Sequence, residues 1–383
     1  MRIFFSVGEP SGDQHAAHLI HELKKRDANF EAVGFGGKAM QAAGCELRFE
    51  LTKLAVMGFL RVLPLLRQFI GLARRAREEF ESDPPDAVVL VDFPGFNWHI
   101  AKAAKRAGVP VYYYMPPQLW AWGPWRIRKV RKFVDHVLCA LSFEHKWYSD
   151  RGVNATYVGH PFFDEVAEKQ LDDTFLAKLK GDSPLVAVLP GSRTHEVERN
   201  LPLIATVIRQ LQEQHPGVRF AVASYNVEQQ KLAEQILSAA NIVIPSYLDH
   251  TSEVIEAADC CLMVSGSVSL ELLARKTPGA VLYKLTRLHT TLRPIVIRCR
   301  YISLPNLMAD RDIMPEFVSS GAEQKTVESL FDVLNNWLSD PRTLAAARRD
   351  MQQLAESVVL TGATSRAADV IVGAIPKTER LAA

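Results

Sequence analysis

A few polar residues in this chain stand where chemistry is done. Asp92 ends the apolar run Ala87–Val91 and is followed by Phe93-Pro94-Gly95-Phe96-Asn97. A carboxyl set among aromatic side chains is partly desolvated, which raises its pKa and suits it to act as a base. Glu9 and Ser11, with Asp13, lie in the turn Gly8–Asp13 that follows a first apolar run, Arg2–Val7. They are acceptors suited to sugar hydroxyls, although Ser11 and Asp13 also suit a helix cap. Arg193 follows the β-branched run Leu185–Leu189 and the break Pro190-Gly191, and a long amphipathic stretch runs on to about Gln214. Strand, tight turn and helix N-terminus together present free N–H groups and partial positive charge, and a guanidinium adds a fork that fits phosphate oxygens. Ser265, Gly266 and Ser267 form a second small-residue turn at a helix start. Glu271 lies one turn in, placed to accept from the two hydroxyls of a ribose.

Those residues need strands and helices to hold them. Further strands are expected at Phe30–Phe35, Val109–Tyr114, Val137–Leu141, Arg219–Ala223, Ile242–Pro245 and Cys260–Val264, with helical spacing between them. Alternation of this kind means parallel sheets, and two such series mean two domains. The expected fold is therefore α/β, with two Rossmann-like parallel-sheet domains spanning residues 1–165 and 172–341. The last segment, residues 342–383, reads as helical and is expected to cross back onto the first domain. A chain of 383 residues, 48% hydrophobic and 23% charged, has ample core for both. Net charge is +2, so no global basic field points to nucleic acid. The five cysteines form no C-x-x-C pair and read as buried free thiols in a reducing compartment. No apolar run is long enough to cross a membrane, and the chain starts directly on a strand; a cytoplasmic protein with at most peripheral membrane contact is expected.

Three segments are basic and apolar at once. Leu54–Arg77 carries Arg61, Arg67, Arg74, Arg75 and Arg77 among many large apolar residues, and Lys284–Arg300 carries Arg287, Arg293, Arg298 and Arg300. Either suits a membrane interface or acyl chains, or else a core helix with a solvated basic rim. Trp120, Trp122 and Trp125 stand beside Arg126, Arg128 and Lys129, a pattern that also suits single-stranded nucleic acid. The low net charge and the paired ligand turns count against that partner.

Taken together, Ser6–Asp13, Val91–Asn97, Trp120–Trp122, Val158–Pro161, Leu189–Arg193, Ser265–Glu271 and Tyr301–Asn306 resemble the lipid-A-disaccharide synthase family, with Ala55-Val56-Met57-Gly58 adding to the likeness. Each motif is weak alone; the ordered set, over nearly the whole chain, is specific. The resemblance implies a GT-B glycosyltransferase with two domains facing a cleft. It implies transfer of 2,3-diacylglucosamine from UDP to 2,3-diacylglucosamine 1-phosphate, with inversion, no cofactor and no metal. By position, Asp92 matches the family's essential acid. Arg193 and Ser265–Ser267 match the UDP-phosphate site, Glu271 the ribose binder, and Glu9, Ser11 and Asn306 other polar positions at the acceptor. The resemblance also implies peripheral contact with the inner leaflet of the inner membrane and suggests a homodimer. The chain departs from the family pattern at Pro116, Val268-Ser269 and Ser319. Other UDP-sugar enzymes on the same scaffold, such as a 2-epimerase or another lipid glycosyltransferase, and a non-catalytic nucleotide-sugar-binding protein remain as alternatives.

Overall fold

The structure, a computed structural model, describes residues 1–54, 65–284 and 299–375. It divides into two compact units, Met1–Asp164 together with the segment from Leu360 onward, and Glu165–Val359. The motif Ala55–Gly58 and most of the basic apolar stretches Leu54–Phe69 and Lys284–Arg300 lie outside the described residues.

The first unit is a seven-stranded parallel sheet. Its strands are β1 (Arg2–Val7), β2 (Glu31–Gly36), β3 (Cys45–Glu50), β4 (Ala87–Val91), β5 (Val111–Tyr114), β6 (His136–Cys139) and β7 (Ala155–Tyr157). Their order is β3-β2-β1-β4-β5-β6-β7. Period-two alternation sends Phe4, Val88, Leu90 and Tyr113 into one core, with Leu72 and Phe80 of the Leu66–Ser82 helix and Phe96 and Ile100 of the Pro94–Arg106 helix. Ile3, Phe5, Val89 and Val91 face a second core, with Leu19, Ile20 and Leu23 of the Pro10–Arg26 helix. Both faces are covered, so the inner strands are largely apolar, as a parallel sheet requires, with Ser6 of β1 a buried polar exception.

The second unit repeats the plan with six parallel strands: β8 (Leu185–Leu189), β9 (Arg219–Ser224), β10 (Ser246–Leu248), β11 (Cys260–Val264), β12 (Gly279–Lys284) and β13 (Glu316–Ser319). Their order is β10-β9-β8-β11-β12-β13. The strand expected at Ile242–Pro245 falls later, at Ser246–Leu248.

The C-terminal segment divides differently from the expectation. The Pro341–Val358 helix packs on the Glu323–Ser339 helix, with Leu344 and Ala347 against the second unit's core, and so stays with the second unit. The return to the first unit begins at Leu360, not at 342. There the Ala363–Ala374 helix packs against the Pro10–Arg26 helix. Asp164 receives hydrogen bonds from the Gly362 N–H (2.5 Å), the Thr364 N–H (3.3 Å) and the Thr364 hydroxyl (3.4 Å), capping that helix.

Asp13 is a structural residue of the same kind. It is buried, and its carboxylate accepts from the N–H groups of Gly37 (2.7 Å), Ala39 (2.9 Å) and Met40 (3.3 Å). It therefore caps the Lys38–Ala42 helix across space, not the helix it sits on. A Cβ at Gly37 would lie 2.5 Å from its Oδ2, so the bare backbone is what allows the approach. Asp13→Ala leaves these donors without a partner and is expected to cost about 2–4 kcal/mol in urea unfolding. A loss under about 0.5 kcal/mol, within the range of ordinary surface changes, would contradict this role.

Candidate active site

In open parallel sheets, ligands bind beyond the carboxyl ends of the strands where the strand order reverses. In the first unit that point lies between β1 and β4, which pair as far as Val7 with Val91. The next residues on each strand are Gly8-Glu9 and Asp92-Phe93. The sheet thus brings the Glu9–Ser11 turn and Asp92 together from positions over eighty residues apart. The helix begins earlier than its spacing suggests, at Pro10, so Ser11 stands exposed in its first turn and Glu9 is its N-cap. Gly8 is needed here: a Cβ would lie 2.3 Å from the Phe93 ring.

Asp92 keeps a solvent-exposed side chain, yet protein crowds its carboxyl. That desolvation raises its pKa above the ordinary 3.8, against a smaller lowering by the Phe93 N–H. Its carbonyl oxygen is held by two buried donors, Tyr113 Oη and Asn97 Nδ2, each at 2.7 Å.

Beyond β5 the loop to Trp125 is fixed from below. Glu144, fully buried, accepts from Trp120 Nε1 at 2.9 Å, and Tyr148 Oη donates to the Pro117 carbonyl at 2.8 Å. Burial pushes Glu144 up to about 7. Trp122 and Trp125 remain exposed. His160, in the Val158–Pro161 motif, is pushed down to about 3 by burial, and its Nδ1 accepts from the Phe162 N–H. It is a neutral, packed histidine.

In the second unit the reversal lies between β8 and β11, paired as far as Leu189 with Met263. The Arg193 turn and the Ser265–Ser267 turn follow these strands, so they too are neighbours. Ser265 Oγ donates to the Ile302 carbonyl (3.3 Å), whereas Gly266 and Ser267 are exposed at the start of the Val268–Arg275 helix. Glu271 is buried, with Oε1 receiving Arg275 Nε at 3.0 Å. Among the described residues no hydrogen bond goes to its Oε2.

The Arg193 turn holds a residue that spacing passed over. Glu196 is buried and accepts from the N–H groups of Ser192 (3.1 Å) and Arg193 (3.2 Å), while its other oxygen receives Arg193 Nη1 at 2.8 Å. An internal carboxylate therefore occupies two of the N–H groups that the turn offers to phosphate. What the turn presents outward is the guanidinium, whose side chain is 55% exposed and holds further donors on Nε and Nη2. Gly191, at φ +115°, is needed both for that backbone and because a Cβ would lie 2.8 Å from the Glu196 Cβ.

Asn306, expected at the acceptor, is committed to bonds inside the protein. It is fully buried, and its Oδ1 accepts from the N–H groups of Ile313 and Met314, both at 2.8 Å. Its Nδ2 donates to the Met314 carbonyl (2.7 Å) and to Glu316 (2.9 Å). Glu316 in turn accepts from the Ile302 and Ser303 N–H groups, so the pair shapes the Tyr301–Asn306 loop. With both amide atoms committed, Asn306→Ala should cost about 2–5 kcal/mol of stability in thermal or urea unfolding. An unchanged melting temperature with a raised KM would instead make it a ligand contact.

Among the described residues, no group of three or more His, Cys, Asp or Glu side chains is arranged to hold a metal ion, and no helix is long and apolar enough to cross a membrane.

Comparison with known proteins adds the identity that geometry leaves open. The profile of the family described as "Lipid-A-disaccharide synthetase" matches residues 3–368. The chain is 35% identical over 340 residues to the lipid-A-disaccharide synthase of Coxiella burnetii (strain Dugway 5J108-111), covering 87% of this chain and 89% of that one. It is 32% identical over 383 residues to that of Myxococcus xanthus (strain DK1622), covering 98% of each. In fold it resembles UDP-GlcNAc 2-epimerase from Neisseria meningitidis bound to UDP-GlcNAc, with TM-score 0.64 and 13% identity over 99% of this chain and 100% of that one. It also resembles the calicheamicin glycosyltransferase CalG4, with TM-score 0.62 and 14% identity over 99% of each. At such identities these two likenesses speak for the two-domain GT-B fold alone, whereas the matches along the sequence show that the chain belongs to the lipid-A-disaccharide synthase family of glycosyltransferases.

Proposed function

We propose that this chain transfers 2,3-diacylglucosamine from UDP-2,3-diacylglucosamine to the 6-hydroxyl of 2,3-diacylglucosamine 1-phosphate. The products are a β-1,6-linked disaccharide 1-phosphate and UDP. The observation that carries this reading is Asp92: a carboxyl of raised pKa at the β1/β4 switch point, in a chain of this family. The Asp92 carboxylate takes the proton of the acceptor hydroxyl as its oxygen attacks the anomeric carbon. The bond from that carbon to the diphosphate oxygen breaks on the opposite face, which inverts the centre. UDP departs with the electron pair, and its growing charge meets Arg193 and the N-terminus of the Val268–Arg275 helix, at Ser265, Gly266 and Ser267. Glu271 Oε2 receives the ribose hydroxyls. Glu9 and Ser11 orient the acceptor sugar beside Asp92. The reading needs no cofactor and no metal, since cationic and helix-end groups supply the positive charge.

The acyl chains of both substrates call for a lipid-facing surface. On the Leu66–Ser82 helix, Leu66 and Ile70 are exposed beside the exposed Arg67 and Arg74. That combination supports peripheral contact with an anionic inner leaflet. A homodimer remains part of the proposal by family likeness.

The test is UDP release from UDP-2,3-diacylglucosamine in detergent, with and without 2,3-diacylglucosamine 1-phosphate. Acceptor-dependent release is expected. Release that ignores the acceptor would replace transfer with hydrolysis or an epimerase-like partial reaction.

A further inference from the structure

Asp92 and Phe93 are consecutive non-glycine residues in the left-handed region, at φ +42° and +46°. L-residues visit that region rarely, and a pair of them persists where the surroundings enforce it. The enforcing groups lie under the turn on one face of the sheet. Ser6 near the end of β1, Tyr113 on β5 and Asn97 in the Pro94–Arg106 helix are all fully buried. Tyr113 Oη and Asn97 Nδ2 both donate to the Asp92 carbonyl at 2.7 Å. Asn97 is itself oriented: Ser6 Oγ donates to its Oδ1 at 2.7 Å, and its Nδ2 lies 3.2 Å from the Ser6 carbonyl and 3.3 Å from that of Val91. On the other side of the turn the Phe93 ring rests against the bare backbone of Gly8.

An ordinary turn carbonyl at a sheet end would be solvated. This one takes two buried side-chain donors, neither of which any motif reading gave a role. Fixing the carbonyl fixes the peptide plane between Asp92 and Phe93, and with it the direction of the Asp92 Cα–Cβ bond. We propose that Ser6, Asn97 and Tyr113 form a buried clamp on the Asp92 carbonyl that positions its carboxylate for proton transfer. They are positioning residues, and the inference rests on reading Asp92 as the base. Burial holds the Tyr113 hydroxyl in its protonated, donating form by raising its pKa well above 10.

Tyr113→Phe is the discriminating variant. It keeps the ring and its edge contact with Trp98, and the Asp92 carbonyl keeps the Asn97 donor, so the fold is expected to survive. A base displaced by a fraction of an ångström should lower kcat by about 10-fold to 100-fold, with KM for either substrate changed less than about twofold. The acid limb of the kcat–pH profile should move to lower pH, because a loosened turn admits water to the carboxyl. Ser6→Ala, which releases Asn97 Oδ1, should act in the same direction and more weakly; it replaces Tyr113→Phe if that variant fails to fold. A lowered melting temperature with kcat and the acid limb unchanged would make the clamp structural and overturn the proposal. Asp92→Asn, measured alongside, keeps the two readings apart. Full turnover there overturns the base and the clamp's purpose together, whereas an inactive Asp92→Asn beside a wild-type-like Tyr113→Phe overturns the clamp alone.

Discussion

Asp92→Asn is expected to lower kcat by about 10²–10⁴-fold, the usual contribution of a general base, with little change in KM for either substrate. The amide is nearly isosteric, and the features that set the turn lie outside the Asp92 side chain: the left-handed φ, the carbonyl held by Tyr113 and Asn97, and the Phe93 ring over Gly8. Binding and folding should therefore survive while proton transfer fails. The sign of the pH dependence follows from the same group. Desolvation raises the Asp92 pKa, so the base is active above that value and loses activity as pH falls through it. The acid limb of kcat/KM is expected above the position an unperturbed aspartate near 3.9 would give, and Asp92→Asn should abolish it. A variant that keeps both its rate and its acid limb would assign the proton to another group.

Arg193→Ala carries the second large effect. Removing one charged donor from a departing diphosphate is expected to cost about 2.7–4 kcal/mol in the transition state, or roughly 10²–10³ in kcat. The turn itself should hold, because Glu196 keeps the Ser192 and Arg193 N–H groups. Stability should fall by much less than activity, although Glu196 loses its cationic partner. Steady-state rates together with UDP affinity by calorimetry check this. Arg193→Lys should restore a small part of the rate, since a lysine ammonium cannot span Glu196 and a phosphate as the guanidinium fork does. Unchanged kcat with a lost melting temperature would make Arg193 a partner of Glu196 and nothing more.

The central strands could be read directly. β4, β8 and β11 are buried on both faces, so their runs are apolar without interruption, β1 is apolar but for Arg2 and Ser6, and the boundaries of all four match the sequence reading. The positions of Glu9, Asp92, Arg193 and Ser265 beyond these strand ends were legible for the same reason, since each closely follows an apolar run. The sheet margins were not legible. β3 reads Cys-Glu-Leu-Arg-Phe-Glu, an edge strand whose charges break the apolar signal, and β7 and β10 have three residues each. β12 opens on a glycine and ends on Tyr-Lys, and β13 has four residues beginning with a glutamate, so neither gives a clear strand signal.

The supporting residues were hidden for a different reason. Ser6 meets Asn97 across ninety-one positions, and no local spacing announces that contact. Glu196 did leave a signal, a glutamate three residues after a helix N-cap, which is the usual mark of a carboxylate that reaches back to the turn. It takes two of the turn's N–H groups that would otherwise await phosphate. Asn306, like Ser6, carries no local sign of its bonds: its amide ties the Tyr301–Asn306 segment to Ile313, Met314 and Glu316.

The central claim is inverting transfer between two sugars, and the most direct test is the product itself. Donor and acceptor are incubated with the protein in detergent, the lipid product is isolated, and its linkage and anomeric configuration are read by NMR. A disaccharide 1-phosphate joined β-1,6, formed in step with UDP and formed at least about a hundredfold more slowly with Asp92→Asn, is the predicted result. An α-linked disaccharide, or UDP formed with a free sugar and no disaccharide, would contradict the account.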